Sequence, residues 1–313
     1  MSRQRMAMAH EACEVMNHLP QDSNLGPQQR AANRGRFADF LSTVRFLFPI
    51  ESPETRLGRP ATERLVPYVV PVGLLVGLLW VAVFRLSWWL YGETGSIRVI
   101  PSLMVVLVEC LLTGPFLALG LARTVHVLTS DRPELATDDR LAPLSAVGTL
   151  VLCLTILCEY ALILSIPHRE GWWPSPDDWR SDFNFLYPRP IYRPLLLAPL
   201  WGRWGMLLAA TIGQTARNAD QTTIALNHAM TPGRLLRHAF LPVVLTAIYC
   251  SRSRNYLTGV LIGILVFAVT YIVTVAIARR ARGQSRQSLF AAAQIAQLAF
   301  LAIYRACWRL IDA

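Results

Sequence analysis

Long apolar segments recur along this chain, each close in length to a helix that crosses a membrane. The first runs from Leu65 to Phe84 without a charged residue, and about 20 mostly apolar residues are enough to cross a hydrocarbon core. Backbone amides inside a bilayer must be satisfied within their own segment, which favours α-helices. The pattern predicts an all-α, polytopic membrane bundle of about seven spans, at 65–84, 99–122, 141–167, 194–216, 239–251, 255–278 and 287–304.

The segment 239–251 is shorter than the other predicted spans. It reaches a spanning length only if Leu235 and Leu236 enter the bilayer while Arg237 extends its side chain back to the surface. Whether it crosses decides the orientation, because a crossing here places the later arginines on the same side as the N-terminus.

The residues before the first span divide by composition. Residues 1–36 are polar, without the apolar core of a cleavable signal peptide, and we expect a disordered N-terminal extension. Residues 37–64 are expected to form an interfacial amphipathic helix and a linker, and residues 65–313 the membrane domain. A short helix packed on the membrane domain is the alternative for 37–48. The apolar positions with helical spacing are Phe37, Phe40, Leu41, Val44, Leu47 and Phe48.

All thirty basic residues are arginine, and the formal net charge is +10. Without lysine, Schiff-base chemistry and a Walker lysine are excluded. With seven spans and the N-terminus inside, nineteen arginines lie on the inner side and nine on the outer side, as the positive-inside rule favours. In a membrane protein this charge indicates loops that face anionic lipid, so we expect the lipid bilayer and not nucleic acid as the partner.

Three ionisable residues lie inside predicted spans: Glu109, Glu159 and Arg203. Ionisable groups within a membrane are candidates for function. The alternative is structural, with Glu109 or Glu159 forming an ion pair with Arg203. The six cysteines show no paired metal-binding spacing and imply no disulfide framework.

The segment from Leu112 to Leu128, LTGPFLALGLARTVHVL, resembles a motif of the cobalamin synthases, the adenosylcobinamide-GDP ribazoletransferases, which reads approximately LTGGLHLDGLADTADGL. Ordered similarity extends from about residue 37 to the C-terminus. Further matching segments are 40–47, 71–77, Asp138–Arg140, Leu195–Trp204 and Arg279–Leu298.

This resemblance implies a multi-span enzyme of the bacterial inner membrane that transfers the adenosylcobinamide phosphate group from its GDP form to α-ribazole. It implies Mg²⁺ as cofactor, a corrinoid and a guanine nucleotide as ligands, and other membrane proteins of the corrinoid pathway as partners. In this chain the implied catalytic residues are His126, Asp138 and Arg140, and the phosphate-binding residues are Arg123, Arg203, Arg279 and Arg280. If the chain is active, its metal ligands would be Glu109, Asp138 and Asp139.

The chain departs from the family at six positions where the family carries an acidic residue. These six positions, called here the family acid positions, hold Leu119, Arg123, His126, Gln287, Gln294 and Gln297. Glutamine resembles glutamate in shape but carries no charge, so it does not hold Mg²⁺ in the usual way. The replacements predict that ribazole transfer is impaired or lost.

Three interpretations follow. In the first, the protein has lost transfer chemistry and persists as a binding or scaffolding protein, with its arginines suited to an anionic phosphate. In the second, it is an enzyme whose carboxylates have moved to Glu109, Asp138 and Asp139, with His126. In the third, it is a transporter, for which buried charges and broken helices are typical.

Overall fold

The computed structural model describes two units of the chain, residues 1–41 and 42–313. In the first unit, residues 39–41 are described and are helical. The predicted disordered extension 1–36 lies outside the described residues. In the second unit the described residues are 43–44, 47, 59–91, 99–112, 116–129, 144–166, 191–216, 219–250, 257–281 and 283–308.

Helices make up nearly all of the described part of the second unit, which contains no strand beyond one isolated bridge. The prediction of an all-α fold is therefore confirmed. The helices are α1 (Arg59–Tyr91), α2 (Val99–Leu112), α3 (Phe116–Thr129), α4 (Ala146–Ser165), α5 (Tyr192–Thr211), α6 (Gln221–Ala229), α7 (Pro232–Cys250), α8 (Leu257–Arg280) and α9 (Arg286–Ala306).

Four helices of the described residues are long and apolar enough to cross a membrane: α1 over Leu65–Tyr91, α4, α8 and α9. A fifth span results if α2 and α3 are taken together, although their axes bend by 76°. The sequence predicted one span over 99–122, and the break coincides with Pro115, which lacks an amide hydrogen and restricts the residue before it. The protein is thus polytopic, while the total of seven spans stays a prediction.

Helix α5 forms the centre of the bundle, and all of its residues from Tyr192 to Ala210 are buried. Glycines allow its neighbours to approach closely. A Cβ atom at Gly77 of α1 would collide with the Leu196 carbonyl oxygen, and one at Gly205 would lie 2.6 Å from Ala296 Cβ of α9. Close backbone approach through small residues is typical of helix packing in membranes.

The turns that follow α5 and precede α9 are joined by backbone hydrogen bonds. The amide of Ala216 donates to the Gln284 carbonyl at 2.9 Å, and the Gln284 amide donates to the Gln214 carbonyl at 2.8 Å. Gly283, with a φ of +143°, passes so close that a Cβ atom there would meet Ala216 N at 2.8 Å. This contact fixes the first turn of α9 against the last turn of α5.

The segment predicted as an interfacial amphipathic helix is partly described, at 39–41, 43–44 and 47. Thr43 and Leu47 are buried, and the Thr43 hydroxyl donates a long hydrogen bond to the Leu65 carbonyl at 3.4 Å. Thr43 therefore contacts the start of the apolar part of α1, and the choice between an interfacial helix and a helix packed on the membrane domain stays a prediction. The boundaries at 36 and 64 remain predictions.

Candidate functional site

Two carboxylates and two carboxamides from three helices meet in the interior of the bundle. Glu109 lies on α2, Glu159 on α4, and Gln294 and Gln297 on α9, and all four side chains are buried. We call them the Glu–Gln cluster. Gln294 and Gln297 are three residues apart and therefore lie on the same face of α9.

Three hydrogen bonds connect the members of the Glu–Gln cluster. Gln297 Nε2 donates to Glu109 Oε1 and to Glu159 Oε1, each at 2.8 Å. Gln294 Nε2 donates to the other oxygen of Glu159, Oε2, at 3.0 Å. Because both Oε1 atoms are bonded to the same nitrogen, they lie less than about 6 Å apart, close enough for the two carboxyl groups to influence each other's charge.

Arg203 of α5 belongs to the same interior region and is only 1% exposed. A Cβ atom on Gly202, the residue before it, would lie 3.2 Å from Gln297 Oε1. The structural alternative, an ion pair between Arg203 and one of the carboxylates, stays a prediction, and both carboxylates accept hydrogen bonds from Gln297.

The two motifs that hold the family acid positions meet where α3 packs against α9. A Cβ atom on Gly120 would lie 2.6 Å from Phe290 Cβ and 3.0 Å from the Gln287 carbonyl oxygen. Leu119 is next to this contact and Arg123 is one turn further along α3. Leu119, Arg123, His126 and Gln287 are all partly buried. The folded chain therefore brings both motifs together, although they are far apart in sequence.

These positions and the Glu–Gln cluster lie at different levels of α9. Gln294 follows Gln287 by seven residues, which is about 10 Å of helix rise. Leu119, Arg123 and Gln287 thus lie near the α3–α9 contact, His126 lies further along α3, and Gln294 and Gln297 contact carboxylates supplied by other helices.

The predicted phosphate-binding arginines do not form one group. Arg203 is fully buried, whereas Arg279 and Arg280 are exposed in the last turn of α8. A Cβ atom on Gly205 would contact Thr270 Cγ2 at 3.4 Å, and Arg279 follows Thr270 by nine residues, about 13 Å of helix rise. Asp138, Asp139 and Arg140 lie outside the described residues, so their predicted catalytic and metal-binding roles stay predictions.

The side chains at the family acid positions of α3 and at Gln287 do not suit Mg²⁺, which prefers carboxylate oxygens and water in octahedral geometry. An isobutyl group, a guanidinium, an imidazole and a carboxamide stand at Leu119, Arg123, His126 and Gln287. Among the residues that the structure describes, no group of three or more His, Cys, Asp or Glu side chains could hold a metal ion.

Every member of the Glu–Gln cluster could be identified from the sequence, but the contacts among them could not. The available signal was chemical: a carboxylate buried in an apolar helix needs a buried hydrogen-bond donor. Gln294 and Gln297 are the buried donors on one face of a neighbouring helix. The pairing could have been suggested on that ground, but several other polar side chains would have been equally eligible.

Apolar helices of spanning length, packed around a buried centre of carboxylates, carboxamides and one arginine, define a polytopic integral membrane protein. The family model described as CobS, cobalamin-5-phosphate synthase, matches residues 39–304. The chain therefore belongs to the cobalamin-5-phosphate synthase family, and the resemblance seen in the sequence is confirmed. No curated protein and no solved structure matches it.

Proposed function

We propose that this family member has impaired or lost ribazole transfer and acts as a membrane protein that binds a corrinoid or a guanine nucleotide. One observation carries the proposal: the α3–α9 contact brings both family motifs together, yet the motif positions Leu119, Arg123, His126 and Gln287 carry no carboxylate. Phosphoryl transfer depends on positioning and on neutralising charge with metal ions. Carboxylates that would hold such ions are replaced by neutral and basic groups.

Basic side chains at this contact favour an anionic ligand bound without a metal. Arg123 lies on α3. Arg286 is the first residue of α9, and its guanidinium lies 5.5 Å from the centre of the Phe290 ring. Arg286 also lies 3.9 Å from Asp220. Arginine forms bidentate hydrogen bonds with phosphate, so phosphate binding remains chemically reasonable where magnesium binding is not.

A second candidate function is retained catalysis with relocated carboxylates. The specific observation in its favour is that Glu109 and Glu159 contact the two family acid positions of α9 that carry Gln294 and Gln297. Two carboxylates are thus present beside positions where the family carries two. Their oxygens, however, accept hydrogen bonds from amide groups and are enclosed by the bundle, which supports a structural role over metal binding.

The test uses the full-length protein in detergent, supplied with adenosylcobinamide-GDP, α-ribazole and Mg²⁺. We expect no detectable cobalamin, together with binding of GDP whose affinity is the same with Mg²⁺ as with EDTA. Cobalamin formation that is abolished by Asp138→Ala or Glu159→Gln would overturn loss of catalysis and establish the second candidate. Absence of both turnover and ligand binding would contradict the whole proposal and leave a scaffolding role.

We further propose seven spans with the N-terminus inside, in a bacterial inner membrane. Helix α7 supports this count because it begins at Pro232 and reaches 19 residues, about 28 Å of helix, which is longer than its apolar core suggested. Helix α5 has 20 residues. Modification of cysteines introduced at Arg279 and at Arg305 by an impermeant reagent tests the orientation: we expect labelling at Arg305 only in intact cells.

A further inference from the structure

Residues 221–311, most of the last third of the chain, are basic and contain no acidic residue. Between Asp220 and Asp312 the sequence contains ten arginines and no aspartate or glutamate. Four of these arginines are exposed and lie in α7 and α8: Arg234, Arg237, Arg279 and Arg280. Any counter-charge for them must come from another part of the chain or from another molecule.

These four arginines lie at one end of the α7–α8 pair, which we call the arginine end. The two helices are consecutive, packed together and joined by residues 251–256, so the start of α7 and the end of α8 lie on the same side. Trp201 of α5 provides a common level, because its indole N–H donates to Thr246 Oγ1 of α7 at 2.9 Å. A Cβ atom on Gly263 of α8 would meet the same ring at 3.5 Å.

From that level the two pairs of arginines extend in the same direction. Arg237 precedes Thr246 by nine residues, about 13 Å of rise, and Arg279 follows Gly263 by sixteen, about 24 Å. Arg237 and Arg279 are therefore offset by about 10 Å along the helix axes, and Arg234 and Arg279 by about 6 Å. Arg234 is further positioned by a hydrogen bond from its Nη1 to the Ala229 carbonyl at 2.6 Å.

Exposed apolar side chains border the arginine end. Leu236 is 75% exposed and Phe240, one turn further along α7, is 70% exposed. On α8, Tyr271 and Ile272 are exposed two turns before Arg279. The surface therefore presents guanidinium groups directly beside large apolar groups, a combination that matches an amphiphile with an anionic head.

We propose that the arginine end binds the phosphate group of an anionic phospholipid, with the acyl chains lying against Leu236 and Phe240. Guanidinium groups form bidentate, charge-assisted hydrogen bonds with phosphate oxygens. Basic groups at the ends of membrane helices bind anionic headgroups on the inner side of cell membranes. The inference goes beyond the proposed function, since it concerns the outer surface of the bundle and not its interior site.

A soluble nucleotide shares the phosphate chemistry but fits this surface less well. A nucleotide has no apolar chain to cover Leu236 and Phe240. Arg203 is also too far away to contribute, because its neighbour Gly205 packs beside Thr270 of α8 and Arg279 lies nine residues further along that helix. We therefore assign the arginine end to lipid. Competition with GDP tests this choice directly.

The experiment reconstitutes the full chain in nanodiscs of equal parts phosphatidylglycerol and phosphatidylcholine, and counts retained lipids by native mass spectrometry after mild detergent extraction. We expect phosphatidylglycerol to be retained over phosphatidylcholine by about tenfold or more. The double variant Arg234→Gln, Arg237→Gln should lower this preference by about tenfold. Arg305→Gln, an exposed arginine in the last turn of α9, is the matched control and should leave it unchanged.

Three results would overturn the proposal: equal retention of both lipids by the wild type, an unchanged preference in the glutamine double variant, or displacement of phosphatidylglycerol by GDP. Should the glutamine variant fail to fold, Arg234→Lys with Arg237→Lys keeps the charge and is expected to retain part of the preference. Cobalamin formation and GDP binding are measured separately in phosphatidylcholine alone, so failure of the proposed function leaves the lipid result intact.

Discussion

The side-chain amide of Gln297, on α9, donates a 2.8 Å hydrogen bond to Glu109 Oε1 on α2. The two residues are 188 positions apart in sequence, and both are buried. Gln297, which occupies a family acid position, thus donates a hydrogen bond to a carboxylate supplied by another helix. Because of this hydrogen bond, the effect of placing glutamate at position 297 of α9 depends on whether position 109 of α2 is glutamate or glutamine.

Gln297→Glu should destabilise the protein by about 3 kcal/mol or more, because it removes a buried donor and places a third carboxylate beside Glu109 and Glu159. Thermal unfolding in detergent measures the effect. Adding Glu109→Gln to the same chain should recover most of the loss. Gln287→Glu is the matched control, because this partly buried residue lies in the first turn of α9, where a negative charge is tolerated. Equal losses at Gln297 and Gln287 would contradict the pairing.

Gly77→Ala should destabilise the bundle by about 1–3 kcal/mol. The added methyl group would collide with the Leu196 carbonyl oxygen, and backbone cannot move aside as a side chain can. Gly233→Ala is the control, since nothing lies within 4 Å of the added atom, and it should be neutral or slightly stabilising. The comparison is made by thermal unfolding, and a neutral Gly77→Ala would disprove the close α1–α5 contact.

Thr246→Val should cost about 1–3 kcal/mol, because it leaves the buried Trp201 indole N–H without its acceptor. Valine keeps the shape of threonine, so the loss reports on the hydrogen bond more than on packing. Thr246→Ser keeps the hydroxyl and should lose clearly less. Unfolding temperatures of the three proteins, followed by tryptophan fluorescence, provide the measurement; a serine variant as unstable as the valine variant would argue against the bond.

Carboxylates introduced at the α3–α9 contact should create Mg²⁺ binding. We expect the triple variant Leu119→Asp, Arg123→Asp, Gln287→Asp to be stabilised by about 2–3 kcal/mol when Mg²⁺ is at a hundredfold excess over its dissociation constant. The wild type should show no such shift. Ca²⁺ serves as the comparison ion, and a Mg²⁺-dependent shift of equal size in the wild type would show that other ligands already hold the metal.

Much of the architecture could be predicted from local pattern. The runs around α1, α4, α8 and α9 are long and apolar, and a bilayer offers their backbone amides no partner except one another. The sequence predicted one span over 99–122, so the 76° bend between α2 and α3 was not predicted, although Gly114 and Pro115 stand between the two helices. Likewise, the burial of α5 could not be read from its residues, which resemble those of a lipid-facing span.

The sequence predicted which residues belong to the candidate site, but not which of them contact one another. Glu109, Glu159 and Arg203 attract attention because a charge is costly in an apolar helix, and the family acid positions followed from the resemblance. That Gln297 donates to both carboxylates was not predictable, since an amide can donate to any acceptor within reach and the chain contains many acceptors. The proposed roles of Asp138 and Asp139 remain predictions.

By itself, the sequence determined that this chain is an all-helical membrane protein of a particular family, and through the resemblance it predicted that its motifs lack acidic residues. Those properties depend on hydrophobicity and residue identity, which are local. Only the tertiary structure decided which groups share the interior, since Gln294 and Glu159 lie 135 residues apart. Contacts over such distances follow from how whole helices pack, and no local pattern in either helix specifies its partner.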